Sequence, residues 1–131
     1  MRAFLLVLVL VSCLPAQAFG QESIDFCGQK VSVTATEIVC NDETVSDVSA
    51  LSALTNLKML DLALTNVSDV SDLKSLINLE KLSLTRTQVS DVSALKALTK
   101  LENLKIIRTK VSAEQVEALK KALPELFIDG P

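Results

Sequence analysis

The residues of this chain that could do chemistry are few, and some of them recur at a fixed spacing. Asp47, Asp69 and Asp91 stand in identical Val-Ser-Asp-Val-Ser sequences, and Cys27 and Cys40 form a pair nearer the N-terminus. The chain has no histidine, so a Ser-His-Asp nucleophile is impossible and the commonest general base and metal ligand is missing. We therefore expect no enzyme, no catalytic residue and no cofactor.

The repeated aspartates favour a structural role. Each stands before an apolar spacing of three that suits one short helical turn, whose free N–H groups need an acceptor. A calcium site is the alternative, because carboxylates suit hard cations, but capping is favoured and no metal site is predicted. Three glycines leave no phosphate-binding loop, and a net charge of −3 without a basic run argues against nucleic-acid binding.

These residues belong to an internal repeat, which a 49% hydrophobic but nearly aromatic-free composition fills with leucine. Residues 45–66, 67–88 and 89–110 align without gaps, and residues 111–131 begin in the same register. Alternating apolar residues predict a short strand, and apolar residues three apart predict a 3₁₀-like turn. The predicted buried columns are Leu57, Leu79, Leu101 and Leu123; Leu60, Leu82, Leu104 and Leu126; Leu62, Leu84, Ile106 and Ile128; and Val45, Val67, Val89 and Val111.

The columns and the Val-Ser-Asp-Val-Ser sequence resemble the leucine-rich-repeat family, specifically the 22-residue class of bacterial internalins. The resemblance covers residues 45–131 and implies an α/β solenoid with a short parallel β-sheet on its concave face and 3₁₀ or helical turns on its convex face. Thr65, Thr87 and Thr109 depart from the family, which usually has Asn there to bond the backbone of the turn. A threonine hydroxyl has fewer groups and supplies part of that bonding.

Both ends of such a solenoid need a cap. Residues 19–44 are predicted to form an N-terminal cap with a degenerate first repeat, in which residues 24–34 add one strand. Cys27 and Cys40 favour a disulfide that staples this cap. A metal site is the alternative, but it lacks further ligands.

The C-terminal cap is predicted to be an α-helix. Ser112 and Gln115 have the spacing of a capping box, and Pro124 ends the helix. Val116, Leu119 and Leu123 would form its apolar stripe.

Residues 1–18 have the layout of a signal peptide, with an apolar run and an Ala16-Gln17-Ala18 cleavage site. The run is about half the ~20 residues that span a bilayer, so no transmembrane helix is predicted. The protein is expected to be secreted or periplasmic. Alternatively, Leu10-Val11-Ser12-Cys13 resembles a lipobox and would make a membrane-anchored lipoprotein, while an Asn66-Val67-Ser68 sequon leaves a eukaryotic extracellular origin open.

Side chains that flank the buried strand positions are predicted to face solvent on the concave side. Adjacent parallel strands lie about 4.8 Å apart, so equivalent positions form ladders. The predicted ladders are Glu37, Met59, Lys81, Asn103 and Glu125, and then Val39, Asp61, Ser83, Lys105 and Phe127. Beyond them come Ala63, Thr85 and Ile107, followed by Leu64, Arg86 and Arg108.

These positions vary between units while the buried columns do not, so they are free to suit a partner. Basic residues collect in the later units, at Lys81, Arg86, Lys105 and Arg108. Four apolar residues are predicted to be exposed, Met59, Leu64, Ile107 and Phe127, and the last two lie beside the basic residues. We expect a non-catalytic module that binds another protein, in a segment of that partner that carries acidic groups beside an apolar anchor. The predicted site consists of Met59, Asp61, Lys81, Ser83, Arg86, Asn103, Lys105, Ile107, Arg108 and Phe127. The alternatives are an ordinary solvated strand face and a structural envelope protein or adhesin attached through Cys13.

Overall fold

The leucine spacing builds a parallel sheet of very short strands. A computed structural model describes residues 22–131, and the predicted signal segment 1–18 and Cys13 lie outside the described residues. The sheet has the order β3-β4-β5-β6-β7, with strands β3 (Glu37–Val39), β4 (Met59–Asp61), β5 (Lys81–Ser83), β6 (Asn103–Lys105) and β7 (Phe127–Asp129). Successive parallel strands follow one another along the chain, as in the predicted α/β solenoid.

Each of strands β3–β6 buries its middle residue, because neighbouring side chains on a strand point to opposite faces. Ile38, Leu60, Leu82 and Leu104 occupy these middle positions and are paired in register. On the convex side, the 3₁₀ helices Ser49–Ala53, Ser71–Ser75 and Ser93–Ala97 each bury a central leucine. Strand and helix therefore share one aliphatic core.

Threonine closes the turns after β4, β5 and β6. The hydroxyls of Thr65, Thr87 and Thr109 donate to the carbonyl oxygens three residues earlier, each at 2.7 Å. Thr65 and Thr87 are buried, whereas Thr109 is half-buried. The threonine hydroxyl thus bonds the turn backbone at the position where Asn is usual.

The N-terminal cap is a hairpin, so the prediction of one strand over residues 24–34 is wrong. Strands β1 (Ser23–Phe26) and β2 (Gln29–Ser32) pair antiparallel in a sheet of their own. The two residues between them, Cys27 and Gly28, both have positive φ, 55° and 72°, which is the backbone of a tight two-residue hairpin turn. A glycine at the second position supports that turn.

The predicted Cys27–Cys40 disulfide is present and ties the hairpin to the first repeat strand. Cys40 is buried one position after β3, and its N–H donates to the carbonyl of Asp61 on the next repeat at 2.8 Å. The disulfide therefore joins the separate hairpin to the sheet at a point already fixed by the core.

The C-terminal cap is the predicted helix, α1 (Ala113–Ala122). The Ser112 hydroxyl accepts the N–H of Gln115 at 3.2 Å, as a capping box requires. The Gln115 side chain does not close the box. Its amide oxygen accepts the N–H of Val92 at 3.1 Å, so it fastens the helix to the preceding repeat.

The helix changes the register of the last strand. Leu123 and Leu126 are buried as predicted, but the predicted alignment of Leu126 with Leu104 and of Ile128 with Ile106 is wrong. Phe127 pairs with Asn103, and Ile128 pairs with Leu104, which had been assigned to Leu126. The physical reason is length: a ten-residue α-helix replaces a five-residue 3₁₀ helix, and β7 begins two positions later than the 22-residue period requires. Gly130 follows, and a Cβ there would stand 2.8 Å from the Ile107 nitrogen.

Among the described residues, no helix has the length and apolar content needed to cross a membrane.

Candidate functional site

Two rows of side chains cover the outer face of the parallel sheet. The first row, from the first residue of each strand, is Glu37, Met59, Lys81, Asn103 and Phe127. The second row, from the third residue, is Val39, Asp61, Ser83, Lys105 and Asp129. Every position matches the predicted ladders except the two in the last strand, β7.

The terminal register corrects the ladders in two places. Glu125 is not in the first row, because the turn before β7 contains it; Phe127 takes that place instead of its predicted place in the second row. Asp129 enters the second row beside Lys105. The sequence prediction missed Asp129 because it applied the 22-residue spacing to the last unit, whose helix is longer than the 3₁₀ helix of the other units. The predicted C-terminal helix was the sequence signal that the spacing would change there.

The two rows converge on a shallow depression at the middle of the sheet. Its walls include Met59, Asp61, Lys81 and Lys105, and the buried Leu60 lies at its base. Ser83 and Asn103 complete the polar lining. Six of the ten predicted site residues therefore meet in one place.

Arg86 and Arg108 lie further along the chain, in the turns after β5 and β6. Their φ angles are 60° and 58°, and Leu64 has the same left-handed backbone at 66°. An L-residue pays a steric cost there that glycine avoids. The Arg86 N–H donates to the carbonyl of Ile107 at 2.9 Å, so consecutive turns are stacked in register like the strands.

Four basic residues lie on this face and its adjoining turns, and none of them forms an ion pair within residues 22–131: Lys81, Arg86, Lys105 and Arg108. Over residues 22–131 the one ion pair joins Lys30 and Asp25, at 2.9 Å, in the N-terminal hairpin. Asp61 lines the depression and Asp129 lies beside Lys105, but neither forms an ion pair. One carboxylate oxygen of Asp61 already accepts the N–H of Ala63 at 2.9 Å. Positive charge at Lys81, Arg86, Lys105 and Arg108 is therefore left for an external anion.

Apolar side chains flank the basic residues. Phe127 is 60% exposed and Ile107 is 37% exposed, and Leu64 is exposed as well. Met59 is half-buried in the depression and offers less surface than expected. Val39, 52% exposed in the second row, is an apolar residue that the prediction left out of the site.

The repeated aspartates belong to the caps of the 3₁₀ helices. A carboxylate oxygen of Asp47, Asp69 and Asp91 accepts the N–H of the serine two residues later, at 2.8, 2.9 and 2.9 Å. These backbone bonds, and then bonds with the same serines' side chains, lower the pKa of each aspartate. We call these three residues the capping aspartates. No group of three or more potential metal-ligating side chains occurs in the part of the chain that the structure describes.

Solved structures with the same architecture include three from the bacteria Listeria monocytogenes and Leptospira interrogans. An internalin (inlF) from Listeria monocytogenes is 25% identical, with a TM-score of 0.68, over 73% of this chain and 28% of its own. Internalin C2 from the same species is 33% identical, with a TM-score of 0.56, over 65% of this chain and 38% of its own. This chain has the leucine-rich-repeat fold and is similar to these internalins. A leucine-rich-repeat protein from Leptospira interrogans, 22% identical with a TM-score of 0.65, shares the fold over 72% of this chain and 25% of its own.

The leucine-rich-repeat protein described here spans between a quarter and two fifths of the length of these relatives. Neither a protein-family model nor a curated protein sequence matches it.

Proposed function

We propose that this leucine-rich-repeat protein is an exported, non-catalytic module that binds another protein through its concave sheet face. The observation that carries the proposal is the face itself: four basic side chains without an internal ion pair stand beside exposed Ile107 and Phe127. Unpaired charge beside apolar surface is the composition of a protein-binding site, in which the apolar anchor supplies affinity and the charge supplies specificity. Internalin-like architecture supports the same function.

The size of the face predicts a modest affinity. Four strand spacings of about 4.8 Å span about 19 Å, and six residues at about 3.3 Å span about 20 Å, which gives roughly 400 Å². A standard interface buries about 800 Å² on each partner. The partner therefore either binds weakly or makes a second contact outside the sheet.

The proposed site of action is outside the cytoplasm. A disulfide between Cys27 and Cys40 suits an oxidising compartment, and the signal-like residues 1–18 support secretion or periplasmic export after cleavage near Ala18. The intact mass of the protein from its own host tests this. A mass equal to that of residues 19–131 supports the soluble form. A mass equal to that of a chain that starts at a lipidated Cys13 supports the anchored envelope protein instead.

A steric block tests the binding face. Ser83→Trp fills the central depression, and Ala97→Trp places the same side chain on an exposed position of a convex 3₁₀ helix. We expect the wild type and the Ala97→Trp variant to retain the same partner from the host's extracellular or periplasmic fraction, and the Ser83→Trp variant to lose it. Equal retention by both variants, with unchanged circular dichroism, would overturn the concave-face proposal.

A further inference from the structure

The four residues that surround the depression on β5 and β6 can all donate hydrogen bonds. Lys81 and Asn103 are paired in the first row, and Ser83 and Lys105 are paired in the second. We call these four residues the donor square. With strands about 4.8 Å apart and alternate residues about 6.6 Å apart, the two lysine Cα atoms stand roughly 8 Å from each other. Two flexible ammonium groups at that separation reach one small anion between them.

A carboxylate fits the square better than a neutral group does. Its two oxygens accept several hydrogen bonds, and bonds from ammonium groups are the stronger kind. The hydroxyl of Ser83 and the amide of Asn103 supply further donors at the other two corners. Neither lysine forms an ion pair anywhere in the described chain, so a bound carboxylate breaks no existing pair.

A second basic position lies in the turns that follow the same two strands. The hydrogen bonds between the two units continue into these turns, from the Leu84 N–H to the Lys105 carbonyl and from the Arg86 N–H to the Ile107 carbonyl. Arg86 and Arg108 follow the middle residues of β5 and β6, Leu82 and Leu104, by four positions, which is roughly 13 Å at 3.3 Å per residue. The stacked turns hold the backbones of the two arginines on adjacent rungs, with the same left-handed φ in each. We call this pair the arginine edge.

Apolar surface connects the two basic positions. Ile107 is exposed between the donor square and the arginine edge, and Thr85 lies beside it in the preceding turn. In an extended peptide, residues i, i+2 and i+4 point to one side and cover about 13 Å. The spacing of the two basic positions therefore equals that of two side chains four residues apart.

Resting on the proposed protein-binding function, we propose that the concave face recognises an extended segment of a partner protein with two carboxylates four residues apart and an apolar residue midway. The first carboxylate binds in the donor square and the second at the arginine edge. The midway residue packs against Ile107. The apolar contact favours a protein over a polysaccharide, whose sugar units carry no such side chain.

Two labelled peptides of identical composition test the spacing. Ser-Glu-Thr-Val-Thr-Glu-Ser has its glutamates four apart, and Ser-Thr-Glu-Val-Glu-Thr-Ser has them two apart. By fluorescence anisotropy at low ionic strength, we expect the first to bind at least fivefold more tightly. Equal affinity, or no saturable binding of the first peptide at millimolar concentration, would overturn the proposal.

Charge variants test the positions. Lys81→Glu/Lys105→Glu is expected to weaken binding of the first peptide at least tenfold, as is Arg86→Asn/Arg108→Asn, in which asparagine tolerates the left-handed backbone. The convex double variant Lys74→Glu/Lys96→Glu has the same net charge as the first and is expected to bind like the wild type. If the concave and convex reversals weaken binding equally, only net charge matters and the proposal is wrong.

Dextran sulfate tests the polysaccharide source. Displacement of the peptide by dextran sulfate in the wild type, with no preference between the two peptides, contradicts a protein segment as the ligand. The two proposals fail separately. If partner retention is lost in Ser83→Trp but kept in Lys81→Glu/Lys105→Glu, the concave face binds a protein and the carboxylate sites are wrong.

Discussion

The buried threonine of the central repeat makes a bond whose loss can be measured. The Thr87 hydroxyl donates to the carbonyl of Leu84 at 2.7 Å, and Thr87 is 2% exposed. Thr87→Val keeps the branched shape but removes this donor. The Leu84 carbonyl is then left in a site that water does not reach, whereas in the unfolded chain it is hydrated.

The size of the effect follows from burial. A buried acceptor that loses its partner costs about 1–3 kcal/mol, and the more apolar valine side chain recovers part of it, so we expect Thr87→Val to lower the free energy of unfolding by roughly 1–2 kcal/mol. Thr109 makes the same bond to Ile106 at the same 2.7 Å but is half-buried. Water can replace the lost donor there, so Thr109→Val should cost under about 0.5 kcal/mol.

Urea unfolding followed by far-UV circular dichroism is the assay, since the chain contains neither Trp nor Tyr. The slope with urea must stay constant for the difference to be a stability change. Thr87→Ser provides the matched control, because it keeps the hydroxyl and loses only a methyl group worth about 0.8 kcal/mol. Equal costs for Thr87→Val and Thr109→Val, or a Thr87→Val variant as stable as the wild type, would refute the argument from burial.

Three further predictions concern the caps and the turns. Reduction of the Cys27–Cys40 disulfide should lower the free energy of unfolding by about 3 kcal/mol, because the bond joins residues 13 positions apart in the sequence. Urea unfolding with and without reductant measures this change. Folding lowers the pKa of the capping aspartates, so their stabilisation is complete above the ordinary aspartate pKa of 3.8 and is lost as the pH falls through the lower pKa of the folded state. Urea midpoints measured across acid pH should fall in the wild type and fall less in a triple Asp→Asn variant of the capping aspartates. Leu64→Asn should raise the free energy of unfolding by about 0.5–1 kcal/mol, because asparagine tolerates the φ of 66°. Ala63→Gly in the same turn should lower the free energy of unfolding by about 0.5–1 kcal/mol, because glycine loses more conformational freedom on folding. Thermal melts of both variants check the two signs.

The sequence was sufficient to predict the repeated part of the fold. A 22-residue period determines which residues pair, because each strand of the sheet lies against its equivalent in the next unit. Leu60, Leu82 and Leu104 are therefore predicted to be neighbours without any tertiary information, and they are paired. The central site residues follow from the same period, because Lys81 and Lys105 stand next to the buried Leu82 and Leu104 in the aligned units.

The ends were decided by tertiary structure. The N-terminal residues contain no period, and a Cys-Gly turn with two positive φ values made a hairpin where one strand was predicted. At the other end, the helix that covers the last repeat is longer than the turn it replaces, so Phe127 and Asp129 took places that the period had given to Glu125 and Phe127.

The repeats and the ends differ for one physical reason. Inside the solenoid each unit packs against copies of itself, so composition and spacing alone fix the neighbours and the buried face. At the ends a unit packs against a cap of different shape, and the register depends on how that cap covers the exposed leucines. Sequence alone therefore determined the core and the basic centre of the concave face, and only the packing of α1 decided which side chains, Phe127 and Asp129, border it.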